Sequence, residues 1–169
     1  VAYPAWHGPG WEKTNAPMKY LIEHADYVFY QSDFCKLSAD RFLGTREGPF
    51  EILHNPVDTK IFVPALINTS SEGPVLLLTG SHWQWYRMQV AVETLAMVRN
   101  QLPRARLMVA GKLHWRSRRD TAEKELRRFC LNRGVSESVT ILDEYSQSEA
   151  ITLFQSAHIL LHTQYNDSC

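Results

Sequence analysis

The sequence predicts an α/β fold, a Rossmann-like parallel sheet with helices on both faces, and three observations predict it. Apolar runs of strand length recur: VLLLT at 75–79, LMVA at 107–110, VTIL at 139–142 and HILL at 158–161. Each is continuous rather than alternating, the pattern of a strand covered on both faces. Between them lie segments with apolar residues at helical spacing, joined by short loops, and such alternation gives parallel strands with right-handed crossovers.

The elements follow in order. Residues 1–11, rich in Pro, Gly and aromatics, read as a loop with one short strand. A helix over 18–24 puts Met18, Leu21 and Ile22 on one face, and YVFY at 27–30 reads as a buried strand. Ser32 is placed as a helix N-cap, with Asp33 favourable in the first turn, and that helix runs toward Gly44. FEIL at 50–53 is a further strand, Asn55-Pro56-Val57-Asp58 a turn, and NTSSEG at 68–73 a linker.

From residue 74 the pattern becomes regular. A strand over 75–79 leads into a loop over 80–87 and a helix over 88–101. A strand over 107–110 ends in Gly111, and a helix over 120–132 is closed by Gly134. A strand over 139–142 follows. Ser146 and Glu149 form a capping box that opens a helix over 147–155, and the last strand spans 158–161.

Composition narrows the function. Eighteen basic and eighteen acidic residues cancel, which disfavours nucleic acid, whose non-specific binding rests on neutralising many phosphates. The stretch 112–119 (KLHWRSRR) is locally basic: a solvated surface, or a rim that attracts a phosphorylated or lipid-linked ligand. Three cysteines without a CxxC pair fit a reducing, cytoplasmic compartment, with a peripheral position at the inner membrane face compatible with the basic rim. No apolar run approaches the roughly 20 residues of a membrane span. The chain opens on Val1 and stops just past an apolar strand, so it reads as a piece cut at both ends.

In an open parallel sheet, ligands bind outside the carboxyl ends of the strands. Gly80, Ser81 and Arg87, in the loop after the 75–79 strand, are therefore candidates. Gly80 permits close backbone approach, the next helix offers free N–H groups to phosphate, and a cation at its start suggests an anion between. Gly111 after the next strand, and Asp167 as a carboxylate for sugar hydroxyls, share that edge. His158 and His162 fall on one strand face but have no carboxylate partner nearby in sequence, so they read as structural and no metal is expected. No GxGxxG occurs, which argues against an NAD-binding domain.

Taken in sequence, these segments resemble the retaining nucleotide-sugar-dependent glycosyltransferases of family 4. Residues 25–32 (ADYVFYQS) are similar to the strand and helix start late in that family's N-terminal domain, and HNPVDTKIFVP at 54–64 to the passage that starts its C-terminal domain. LLLTG precedes its donor loop, ARLMVAG matches its next strand, and residues 139–163 match the strand, helix and strand that follow. The resemblance implies a GT-B architecture: 1–55 the end of an acceptor-side domain, 56–169 a nucleotide-sugar-binding domain cut at its C-terminus.

It also implies roles. The donor would be a nucleotide-diphosphate sugar, no cofactor would be required, and the acceptor would be a glycan, lipid or small molecule. Ser81 stands where the family has an Arg. Arg87, one residue past the family's Lys, is the substitute that would fork onto two phosphate oxygens. Asp167 aligns with the first of two family Glu residues, and Glu144 and Tyr145 with the loop that lines the base. Arg87 and Asp167 are thus the catalytic candidates, with Gly80, Ser81, Gly111, Glu144 and Tyr145 as donor contacts. The competing readings are an epimerase or phosphorylase of the same layout, or a degenerate binding module. An incomplete sheet would offer an unpaired edge for dimerisation.

Overall fold

A computed structural model describes residues 1–65 and 73–164 of the chain. It forms two compact units, Val1–Val57 and a second beginning at Asp58. The linker expected over 68–73 falls almost wholly outside the described residues. Among them, no helix is long and apolar enough to cross a membrane.

The first unit contains α1 (Pro4–His7), α2 (Trp11–His24), β1 (Val28–Tyr30), α3 (Asp33–Phe42) and β2 (Phe50–Ile52). β1 and β2 pair in parallel, Val28 opposite Phe50. Ser32 caps α3 as expected, its hydroxyl accepting from the Cys35 amide at 3.1 Å. The opening segment differs from the expected loop and strand: it is helical, and α2 runs back through Pro17 to Trp11. An internal proline costs about 3 kcal/mol, and tertiary contacts offset it. Buried Asn15 accepts from the Ala2 amide and donates to its carbonyl, both at 2.7 Å, while Trp11 packs edge-on against Phe42. At the other end of α2, Arg46 donates to the carbonyls of Ile22 and Ala25, a cation at the negative end of the helix dipole. β1 is not buried throughout as expected: Tyr30 packs with Ala39 and Leu43, whereas Phe29, on the opposite face, is exposed.

The second unit carries β3 (Val75–Leu78), β4 (Ser81–His82), α4 (Trp85–Arg99), β5 (Arg106–Val109), β6 (Lys112–Leu113), α5 (Arg119–Asn132), β7 (Val139–Ile141), α6 (Gln147–Gln155) and β8 (Ile159–Leu160). The main sheet has the order β7-β5-β3-β8, every pair parallel. β3 is covered on both faces. Leu76 and Leu78 pack with Met88, Val92 and Leu95 of α4 and Leu126 of α5, whereas Leu77, turned the other way by the strand's two-residue period, packs with Leu153 of α6. The Rossmann-like sheet with helices on both faces is therefore present. β8 departs from the expectation of a buried strand, since Ile159 and Leu160 are about half exposed. α6 opens on the expected capping box, with Ser146 Oγ accepting from the Glu149 amide and Glu149 Oε2 from the Ser146 amide. Gly134 closes α5 at φ +69°, its amide donating to Leu131.

Strands β3, β5 and β7 step outward in one direction, and β8 then falls on the other side of β3. The order reverses between β3 and β8, and such a reversal opens a crevice at the carboxyl ends of the two strands.

Candidate functional site

The carboxyl edge of the sheet is built from the loops after β3, β5, β7 and β8. The first two are zipped together. Ser81 and His82 pair in parallel with Lys112 and Leu113, so a two-residue ladder continues past the point where β3 and β5 end. The amide of Lys112 donates to Gly80 O at 3.1 Å and that of His114 to His82 O at 2.9 Å. Both glycines have positive φ, +103° at Gly80 and +109° at Gly111. A Cβ at position 111 would stand 2.2 Å from the Gly80 carbonyl oxygen, so only glycine lets the loops approach this closely.

Arg87 lies in the first turn of α4 rather than in a loop, because the helix begins at Trp85, whose ring packs against Trp115 and Phe129. Its side chain is buried. Nη1 donates to Ser81 O at 3.0 Å and Nη2 to Thr79 O at 3.5 Å, so the nitrogens expected to fork onto phosphate hold the preceding loop. The backbone carbonyl of Arg87 accepts from Thr163 Oγ1 at 3.3 Å, which joins the exit of β8 to the start of α4 across the switch point.

His82 is fully buried, and its Nε2 lies 3.0 Å from Ala110 O. Burial pushes its imidazole down to about 4, and the Arg87 and His114 charges push the same way against the hydrogen bond. The ring is therefore neutral near pH 7, and since its partner is a carbonyl, Nε2 carries the proton. Outside this brace, Trp83 stacks on His114 with centroids 4.2 Å apart and remains largely exposed.

Arg119 closes the next gap. Nη1 donates to Gly111 O at 3.1 Å, Nη2 to Leu142 O at 3.0 Å, and the guanidinium pairs with Asp143 at 2.9 Å. Lys112 pairs with Glu144 at 3.1 Å, an exposed contact in which both side chains are about half accessible. Beside them a cavity of about 490 Å³ opens between the ends of β5 and β7 and the face of α6. Its apolar floor includes Met108, Ala110 and Leu142, and Asp143, Glu144 and Tyr145 stand along it.

Of the residues singled out from the sequence, Gly80, Ser81, Arg87 and Gly111 come together at the ends of β3 and β5, and Glu144 and Tyr145 line the adjoining cavity. Asp167 lies outside the described residues. His158 has a structural contact: its Nδ1 accepts from the Val75 amide at 3.1 Å. Three residues of the edge escaped the sequence reading. Arg119 is subsumed in the basic stretch, and Thr163 and His82 carry no signal in the sequence.

An α/β unit with this strand order and a crevice at its carboxyl edge is a doubly wound, Rossmann-like unit, and similarity to solved structures gives it the fold of the GT-B glycosyltransferases. No family model matches the chain, and no curated protein matches it. Among solved structures, it is similar to sucrose-phosphate synthase from Thermosynechococcus elongatus, with a TM-score of 0.67 and 17% identity over 95% of this chain and 39% of that one. The Anabaena HepE protein, solved in complex with UDP and glucose, gives 0.70 and 14% over 88% and 41%. A glycosyltransferase from Rickettsia africae gives 0.64 and 17% over 90% and 41%. The chain thus spans about two-fifths of the length of these proteins.

Proposed function

We propose that this chain is the donor-side portion of a retaining glycosyltransferase related to family 4. The whole protein transfers a sugar from a nucleotide-diphosphate sugar to an acceptor hydroxyl on a glycan, lipid or small molecule. The observation that carries the reading is the junction of the β4–β6 ladder with the 490 Å³ cavity. One is entered through two glycines, Gly80 and Gly111, just ahead of a helix N-terminus, and the other is an apolar slot of a size that takes a nucleobase.

In this reading the diphosphate lies along Gly80, Ser81 and Gly111, approaching at Gly80, where a Cβ would meet nothing within 4 Å, with the first amides of α4 turned to it. The base enters the cavity against Tyr145, with Glu144 at its mouth, and Asp167 meets the sugar hydroxyls. Departure of the nucleoside diphosphate leaves negative charge on the outer phosphate. The positive end of α4 and the Arg87 charge behind the loop stabilise that charge without a cofactor. Retention is part of the proposal and follows from the family resemblance.

A second reading, a nucleotide-binding module without transfer chemistry, draws on one specific observation. Ser81 supplies no cation, and the Arg87 guanidinium is already engaged with the carbonyls of Thr79 and Ser81. A thermal-shift screen of the chain with UDP, GDP, ADP and NAD tests what both readings share. Stabilisation grows as RT ln(1 + [L]/Kd), so a nucleoside diphosphate should raise Tm and NAD should not; NAD as the best stabiliser would overturn both. Incubating the whole protein with the donor so identified, with and without acceptor, separates them. Acceptor-dependent consumption marks a transferase, consumption without acceptor an epimerase, and none the binding module.

A further inference from the structure

At the edge of a sheet, a loop histidine is ordinarily solvated, and His82 is not. It has no exposed surface, although it sits between Ser81 and Trp83, both exposed. Its ring reaches out of the loop after β3 and donates through Nε2 to the carbonyl of Ala110, the last residue before Gly111. That carbonyl lies just past the end of β5, where regular strand pairing has stopped. On the backbone side, His82 O accepts from the His114 amide and Gly80 O from the Lys112 amide. A side chain and two main-chain bonds thus close one ring of contacts around Gly80 and Gly111.

We propose that His82 is a positioning residue that locks the loop after β3 against the loop after β5, so that the glycine edge is assembled before any ligand arrives. Its connection to ligand binding rests on the donor-side reading above; the lock itself does not. The cost of the arrangement supports a specific role. Among the described residues its buried Nδ1 has no hydrogen-bond partner, and an unsatisfied buried polar atom is unfavourable. A leucine would fill the space without that penalty, but it would leave Ala110 O without the donor that His82 supplies. The neutral ring suits the task as well, since it adds no second positive charge near Arg87, which already ties Thr79 and Ser81.

The experiment is amide hydrogen exchange by NMR on the 169-residue chain and two variants. His82→Leu keeps the volume and removes the donor, whereas His82→Gln keeps an amide N–H at the reach of Nε2. In His82→Leu, the Lys112 and His114 amides should exchange about tenfold faster, the effect of losing one hydrogen bond's net stabilisation locally, while Leu107 and Val109 inside β5 hold their rates. His82→Gln should restore the parent pattern. Unchanged rates at Lys112 and His114, or an equal rise throughout β5, would overturn the proposal, the latter by showing a plain core residue. If His82→Leu does not fold, His82→Asn, too short to reach Ala110 O, takes its place.

A parallel titration of the same proteins with UDP and GDP separates the two layers. Loss of nucleotide stabilisation in His82→Leu, with recovery in His82→Gln, joins the lock to the donor edge. A local exchange response in a chain that neither nucleotide stabilises supports the lock and counts against the donor-side reading.

Discussion

Gly111 sits so close to Gly80 that a Cβ on it would fall 2.2 Å from the Gly80 carbonyl oxygen. Gly80 has comparable backbone geometry, but a Cβ there would meet nothing within 4 Å. The pair separates two reasons for a glycine. At position 80 only the left-handed conformation asks for it, whereas at 111 the neighbouring backbone forbids anything larger.

Gly80→Ala should therefore cost the strain of an unfavourable φ, about 1–3 kcal/mol. Gly111→Ala should cost more, because Gly80 must move as well. Urea unfolding of the two variants measures the difference, and equal losses would contradict the close approach.

Arg87→Ala removes a buried cation bonded to two carbonyls, and we expect a loss of about 2 kcal/mol, within the range for bonds to charged groups. Arg87→Lys keeps the charge but not the fork, and should recover only part of it. If Arg87 acts chiefly by holding the loop, stability and nucleotide stabilisation should fall together across the two variants. Intact stability with lost nucleotide binding would instead indicate direct contact with phosphate.

The pH dependence follows from His82. Its folded value, about 4, lies below the ordinary histidine value of 6.5, so the unfolded chain binds the extra proton first as pH falls. Stability from this group is fully present above pH 6.5 and is lost as pH falls toward 4, a change of about 3 kcal/mol. Thermal melts between pH 7 and 4 should show His82→Gln or His82→Leu less acid-sensitive than the parent over that window. Parallel curves would show that another group controls acid unfolding.

Much of this architecture could be read from the residues alone. Continuous apolar runs marked β3, β5 and β7, because strands covered on both faces need apolar side chains in both directions. Ser32, the Ser146–Glu149 box and Gly134 marked helix ends, because capping is local chemistry. What escaped was non-local. The β4–β6 ladder is two residues long and has no periodicity. The run of α2 through Pro17 depends on Asn15 holding Ala2, and the roles of His82 and Arg119 depend on carbonyls 28 and 23 residues away. The exposure of Phe29 depends on which face α3 covers. For the candidate site, Gly80 and Gly111 were legible as glycines at strand ends, but the direction of the Arg87 side chain was not, since two carbonyls upstream decide it.

Tyr145 provides a prediction for the cavity. It packs only in part against the Leu77, Ala110 and Leu153 cluster, so Tyr145→Ala should cost little stability yet remove most nucleotide stabilisation in the thermal-shift screen. Full retention would exclude the cavity as the place of the base.

The most direct measurement is an NMR map of the 169-residue chain titrated with whichever nucleoside diphosphate stabilises it. The largest amide shifts should fall on Gly80, Ser81, Gly111, Glu144 and Tyr145. Shifts centred on the opposite end of the sheet, around Pro74, Arg106 and Val139, would contradict it.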